Sequence, residues 1–245
     1  TMDQNQKQPR EKTREDYLKA EKQQRQKDLV KRIALWGGVA ALLAAMLWGL
    51  AQLGTGGGGN STVGGGALAE PVTGEDWIRG NKDGIVTVVE YSDLQCPACR
   101  AVQPAVQETL KQYGDKIRFV YRHYPLTAVH PNAPAAAQAA EAAGNQEKFW
   151  EMHDKLFNNQ SSWSSLKNPL DTFVFYAEEL GLNINQFKTD FASSGVADKI
   201  RLQALGGDRS GVNATPTFYL NGQKINLQNF ADLVTMVGEA IKNAK

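Results

Sequence analysis

Only two cysteines occur in 245 residues, and both lie in one four-residue stretch, Cys96-Pro97-Ala98-Cys99. So low a count excludes a disulfide-stapled scaffold and a closed zinc site built from four cysteines. Histidine is nearly as scarce, and His123, His130 and His153 are scattered without metal-ligand spacing. Charge is missing altogether from residues 33–69. A basic excess is missing beyond them: residues 70–245 hold 17 Lys/Arg against 20 Asp/Glu, which argues against nucleic acid as a partner.

The uncharged stretch divides into two kinds of sequence. Ile33 to Leu53 is a run of 21 residues whose helix would extend about 31 Å, close to the thickness of a bilayer's hydrocarbon core. Trp36 and Trp48 stand near its ends, as interfacial anchors do. A cleaved signal peptide competes with an anchor here, because Ala67-Leu68-Ala69 resembles a cleavage motif. That motif lies far beyond the apolar run and the charged leader is long, so an uncleaved transmembrane helix is the expectation. Residues 1–32 carry ten Lys/Arg against six acids, which keeps the amino end cytoplasmic and places the rest of the chain outside the membrane. The cysteine pair then lies in an oxidising compartment.

Residues 54–69 contain eight glycines between Gly54 and Gly66 and read as a flexible linker. From Glu70 the pattern is α/β. Strands are expected at Ile85–Tyr91 and Ile117–Tyr124, with a helix from Cys96 to about Tyr113 between them. A helical block follows over about 128–206, with helices at 133–143, 147–158, 171–180, 184–193 and 196–205. Thr217–Leu220, Asn221-Gly222 and Gln223–Leu227 read as a hairpin, and a helix over about 228–243 closes the chain. The predicted divisions are thus a leader 1–32, a span 33–53, a linker 54–69 and a folded domain 70–245.

Chemistry is concentrated at the cysteine pair. Cysteines three apart at a helix start share one face, within the reach of a disulfide. Pro97 at the first helical position puts Cys96 at the mouth of the helix, against unpaired amides and the positive end of the dipole. A dipole contribution of up to about 2 kcal/mol would bring a thiol from about 8.5 to near 7. Cys96 is therefore the expected attacking thiol and Cys99 the shielded, resolving one, with exchange proceeding through a mixed disulfide on Cys96. Zinc, copper handling and a purely structural staple are the competing uses of such a pair; no metal site is expected, and a loop this short stabilises little when closed.

Val89-Glu90-Tyr91-Ser92-Asp93-Leu94-Gln95-Cys96-Pro97-Ala98-Cys99, Tyr121-Arg122-His123-Tyr124-Pro125-Leu126 and Gly211-Val212-Asn213-Ala214-Thr215-Pro216-Thr217-Phe218 together resemble the DsbA-like thiol-disulfide oxidoreductases over about residues 70–245. The resemblance implies a thioredoxin fold with an inserted helical domain, preceded here by the transmembrane helix and Gly-rich linker. It implies a cis peptide at Thr215-Pro216, whose backbone faces the active disulfide and pairs with the substrate chain. It implies that Glu90 is a buried acid able to take the proton Cys99 must lose, and that Arg122 is a basic strand position offsetting Glu90. Exported protein thiols are the implied substrates, a quinone-linked membrane thiol oxidase the implied partner, and no cofactor is implied. One departure matters: strongly oxidising members carry His between the cysteines, and Ala98 stands there instead, so a milder oxidant is expected. A reductase or isomerase of the same fold, and a tethered binding or chaperone module, are the rival readings.

Overall fold

The computed structural model describes residues 63–244. The expected leader 1–32, the membrane span 33–53 and the first part of the linker lie outside the described residues. Among the described residues no helix is long and apolar enough to cross a membrane.

The sheet is built on two β-branched runs buried along almost their whole length, β3 (Val86–Ser92) and β4 (Ile117–His123). They pair in parallel, as strands joined by a crossover helix must, and that helix is α1 (Pro97–Tyr113). β1 (Val63–Ala67), β2 (Trp77–Gly80), β5 (Thr217–Leu220) and β6 (Gln223–Ile225) complete a six-stranded mixed sheet in the order β1-β6-β5-β3-β4-β2. The Asn221-Gly222 hairpin forms as its sequence predicts, with φ of 50° and 81° at the two turn residues.

Six helices lie between β4 and β5: α2 (Ala133–Gly144), α3 (Phe149–Asn158), α4 (Gln160–Trp163), α5 (Leu170–Glu179), α6 (Ile184–Phe191) and α7 (Ser194–Arg209). α8 (Asp232–Asn243) closes the chain. The fold is thioredoxin-like α/β, a mixed sheet flanked by helices. On one sheet face Val86, Val88, Ile117 and Phe119 pack with Val102 and Val106 of α1 and Leu233, Val237 and Ile241 of α8. On the other, Gly206 and Gly207 let α7 cross close over Tyr91 and Tyr124; a Cβ on Gly207 would stand 2.7 Å from the Tyr124 ring. The core of the helical block, with Phe149, Met152, Leu156, Trp163 and Phe173, runs on without a break into Leu94, Cys96 and Cys99.

Several boundaries differ from the sequence reading. The linker expected over 54–69 ends early, because β1 within it pairs with β6 and Leu68 N–H donates to Gly222 O at 2.8 Å. Its glycine-rich sequence, Val-Gly-Gly-Gly-Ala, contributes backbone pairing without the side-chain alternation that marks a strand. The helix expected from 147 starts at Phe149, since Glu147 has φ of 61° and cannot be helical. The last helix starts at Asp232 rather than 228, where the Asp232 carboxylate accepts the N–H groups of Gln228 and Asn229. β2 and the four-residue α4 were not predicted.

Candidate functional site

Cys96 is the N-cap of α1, with extended backbone (φ −70°, ψ 124°) and Pro97 at the first helical position. Its N–H donates to Asp93 O at 3.0 Å, closing the turn between β3 and α1. The Cys96 residue is 6% exposed and Cys99 fully buried, while Pro97 and Ala98 between them are exposed. Both cysteines are free in this structure.

The two sulfurs differ sharply. Cys96 is pulled down to about 5, first by a hydrogen bond from the Cys99 thiol, against burial, and then by Thr215 and the N–H groups of Cys99 and Ala98. The sequence points to the helix mouth alone; the structure adds the neighbouring thiol as the first of the groups that lower Cys96. Burial pushes Cys99 well above the ordinary thiol range, and the bond it donates to Cys96 and the charge of Glu90 push it further. One sulfur is thus a thiolate at neutral pH and the other a thiol, the division of labour that exchange through a mixed disulfide requires.

The Thr215-Pro216 peptide is cis, and the Thr215 carbonyl lies 3.5 Å from Cys96 Sγ. The sequence-predicted residues Cys96, Pro97, Ala98, Cys99, Thr215 and Pro216 are therefore brought together at the mouth of α1. Glu90 stands behind them on β3, fully buried, with neither carboxylate oxygen hydrogen-bonded in standard geometry among the described residues. Burial raises its pKa to about 7; the Ser92 hydroxyl works against that shift and the Cys96 charge with it.

Arg122 does not offset Glu90. In the parallel register Arg122 pairs with Tyr91 and Glu90 with Tyr121, so the guanidinium and the carboxyl point to opposite sheet faces. Arg122 instead forms an ion pair with Asp76 at 2.8 Å and donates to Tyr91 Oη and the Glu70 and Pro71 carbonyls.

The sequence reading missed the residues that hold the loop in place. The Asp93 carboxylate accepts the N–H groups of Gln95 (2.7 Å) and Leu126 (2.9 Å) and lies 2.7 Å from His130 Nδ1, while Asp93 N–H donates to Cys99 Sγ at 3.5 Å. Gln160 of α4 donates its amide to both Leu94 O (2.9 Å) and Cys96 O (3.0 Å). Gln95 reaches back, donating to Ser164 O at 2.7 Å and accepting Asn132 N–H at 2.7 Å. Asp93 and Gln95 stood inside the motif without a role. Gln160 carried no signal, because its partners lie more than sixty residues away. His153 is buried among aromatic rings, and Trp163 is a core residue donating to Leu156 O. Among the described residues no group of three or more His, Cys, Asp or Glu could hold a metal ion.

The family described as Thioredoxin matches residues 72–239. A Na(+)/H(+) antiporter NhaA 1 of Salinispora arenicola is 46% identical over 149 residues, which cover 61% of this chain and 22% of that protein. The chain thus spans about a fifth of the curated relative it matches. Among solved structures, a thioredoxin-like oxidoreductase from Silicibacter pomeroyi DSS-3 is 26% identical with a TM-score of 0.58, covering 70% of this chain and 93% of that one. Alpha-DsbA1 of Wolbachia pipientis is 20% identical with a TM-score of 0.63, covering 72% and 96%. A parallel β3-α1-β4 unit, two cysteines at the mouth of its helix and a cis-proline loop facing them meet a family match over most of the chain, and the chain belongs to the thioredoxin family.

Proposed function

We propose that this protein is an extracytoplasmic thiol-disulfide oxidoreductase that introduces disulfides into exported proteins, tethered to the cell membrane through residues 33–53. The observation that carries the reading is the asymmetry of the sulfurs: a Cys96 held as thiolate at a helix mouth, and a buried, protonated Cys99 beside an acid of raised pKa. A client thiolate attacks the Cys96 sulfur of the oxidised pair and expels Cys99, which takes up a proton. A second client thiol then displaces Cys96, a good leaving group because its thiolate is stable. Thr215, whose carbonyl borders Cys96, is the backbone against which the client chain lies. A quinone-linked membrane thiol oxidase returns the pair to the disulfide. The sodium–proton exchange named for the antiporter relative is not carried over, since the match covers 22% of that protein.

A reductase or isomerase would use the same geometry with electrons flowing the other way, and Ala98, in place of an imidazole that could favour the thiolate, is the residue that favours this second reading. Trapping free thiols in living cells separates them. A pair found mostly oxidised, and turning reduced when the membrane thiol oxidase is removed, supports the oxidase; a pair found mostly reduced overturns it. Cys96→Ser should abolish all turnover under either reading and leave activity intact if the chain is instead a binding or chaperone module.

A further inference from the structure

Taking Cys99 as the resolving thiol requires a proton to move between its sulfur and Glu90, and the structure leaves a gap in that transfer. Glu90 acts on Cys99 through its charge, not through a hydrogen bond. The Ser92 hydroxyl, by contrast, works against the upward shift of Cys99, of Glu90 and of Tyr121 alike. Among the described residues no bond of standard geometry is fixed on its oxygen, nor on the Glu90 carboxylate or the Tyr121 hydroxyl, so this buried hydroxyl is locked to none of its neighbours.

Placement follows from the strand. Ser92 lies two residues after Glu90 on β3, so the two side chains share a sheet face, and Tyr121, the register partner of Glu90, shares it on β4. The next residue, Asp93, donates its N–H to Cys99 Sγ at 3.5 Å, which brings that sulfur against the end of the strand. Ser92, Glu90, Tyr121 and Cys99 are all fully buried, which denies bulk solvent as the direct proton partner of the thiol. Burial pushes the Tyr121 phenol up, so it stays a donor and cannot take the proton itself.

We propose that Ser92 is a further catalytic residue, its hydroxyl relaying the proton between the Cys99 sulfur and the Glu90 carboxyl; the inference rests on the oxidoreductase reading above. With a mixed disulfide on Cys96, the Cys99 S–H proton passes to Ser92 Oγ while the hydroxyl passes its own proton to Glu90. The Cys99 thiolate then attacks Cys96 Sγ, the Cys96–Cys99 bond forms, the mixed disulfide breaks and the client leaves as a thiolate. In the opposite direction the same hydroxyl returns the proton to the departing Cys99.

Rapid mixing of the reduced full chain with oxidised glutathione tests this. The first phase forms the glutathione adduct on Cys96, and the second releases that glutathione as Cys99 attacks. Positioned proton transfer contributes roughly 10²–10⁴-fold, so Ser92→Ala should slow the second phase by about tenfold or more. It should leave the first phase and the pH profile of Cys96 alkylation unchanged, and Ser92→Thr should restore most of the lost rate. A second phase at the wild-type rate in Ser92→Ala, with Glu90→Gln slow, overturns the relay and leaves the acid in place. Wild-type rates in both variants overturn the role of Glu90 as well. Thr as slow as Ala, with both variants unfolding at the wild-type temperature, shows that a hydroxyl at this position does not carry the rate and overturns the relay.

Discussion

At the scale of single residues, the most informative group is Glu90, a carboxyl in the core with no basic partner among the described residues. Its raised pKa makes a stability statement whose sign is fixed. The folded value of about 7 lies above the ordinary carboxyl value of 4.5, so the protonated acid is compatible with the fold and the ionised one opposes it. Stability from this group is complete below the unfolded value and is lost as pH rises toward 7. Glu90→Gln should therefore unfold at a temperature that pulls ahead of the wild type between about pH 4.5 and pH 7 and then holds its lead. A lead that shrinks over that interval would contradict the assignment. Glu90 was legible as an acid on a strand six residues before Cys96. Its isolation from Arg122 was not, because the two share adjacent strands and differ only in which face each side chain takes.

The scale of elements shows how the helical block serves the cysteines. α4 is four residues long, yet Gln160 at its start donates to two backbone carbonyls of the Leu94–Cys96 turn. Removing that amide strands the Leu94 carbonyl in the core, at about 1–3 kcal/mol for a group left unpaired, while the Cys96 carbonyl keeps the Arg100 N–H at 3.1 Å. Gln160→Ala should accordingly lower the urea midpoint, with no change in denaturant slope. An unaltered midpoint would show that the turn holds itself. Elements with strong side-chain patterning were legible: the β-branched runs of β3 and β4, the Asn221-Gly222 turn and the cysteine-bearing helix. β1 was not, because Gly64, Gly65 and Gly66 offer a ladder nothing but backbone. The Gln160 contact was not either, since a lone glutamine in a polar stretch looks the same whether it faces water or a buried turn.

At the scale of the whole molecule, the depressed pKa of Cys96 couples redox state to stability. The folded value of about 5 lies below the ordinary thiol value of 9.0, so the thiolate favours the folded, reduced protein. That stability is full above the unfolded value and disappears as pH falls through about 5. The disulfide form has no thiolate and no such dependence. Calorimetry should thus show the melting temperature of the reduced protein falling relative to that of the oxidised protein as pH drops from 9 toward 5. A gap that is constant with pH would sever the link. The same stabilisation makes the disulfide more readily reduced by clients, since whatever favours the dithiol raises the reduction potential.

The sharpest test follows the rates at which Cys96 and Cys99 are alkylated as pH is varied, read peptide by peptide in the reduced protein. Cys96 should react with a midpoint near pH 5 and remain fast at pH 6, while Cys99 stays unreactive through neutral pH. In Cys99→Ser the Cys96 midpoint should shift, because the first cause of its depression is the neighbouring thiol. Two cysteines titrating together near the ordinary thiol value would contradict the asymmetry from which the proposed exchange chemistry is built.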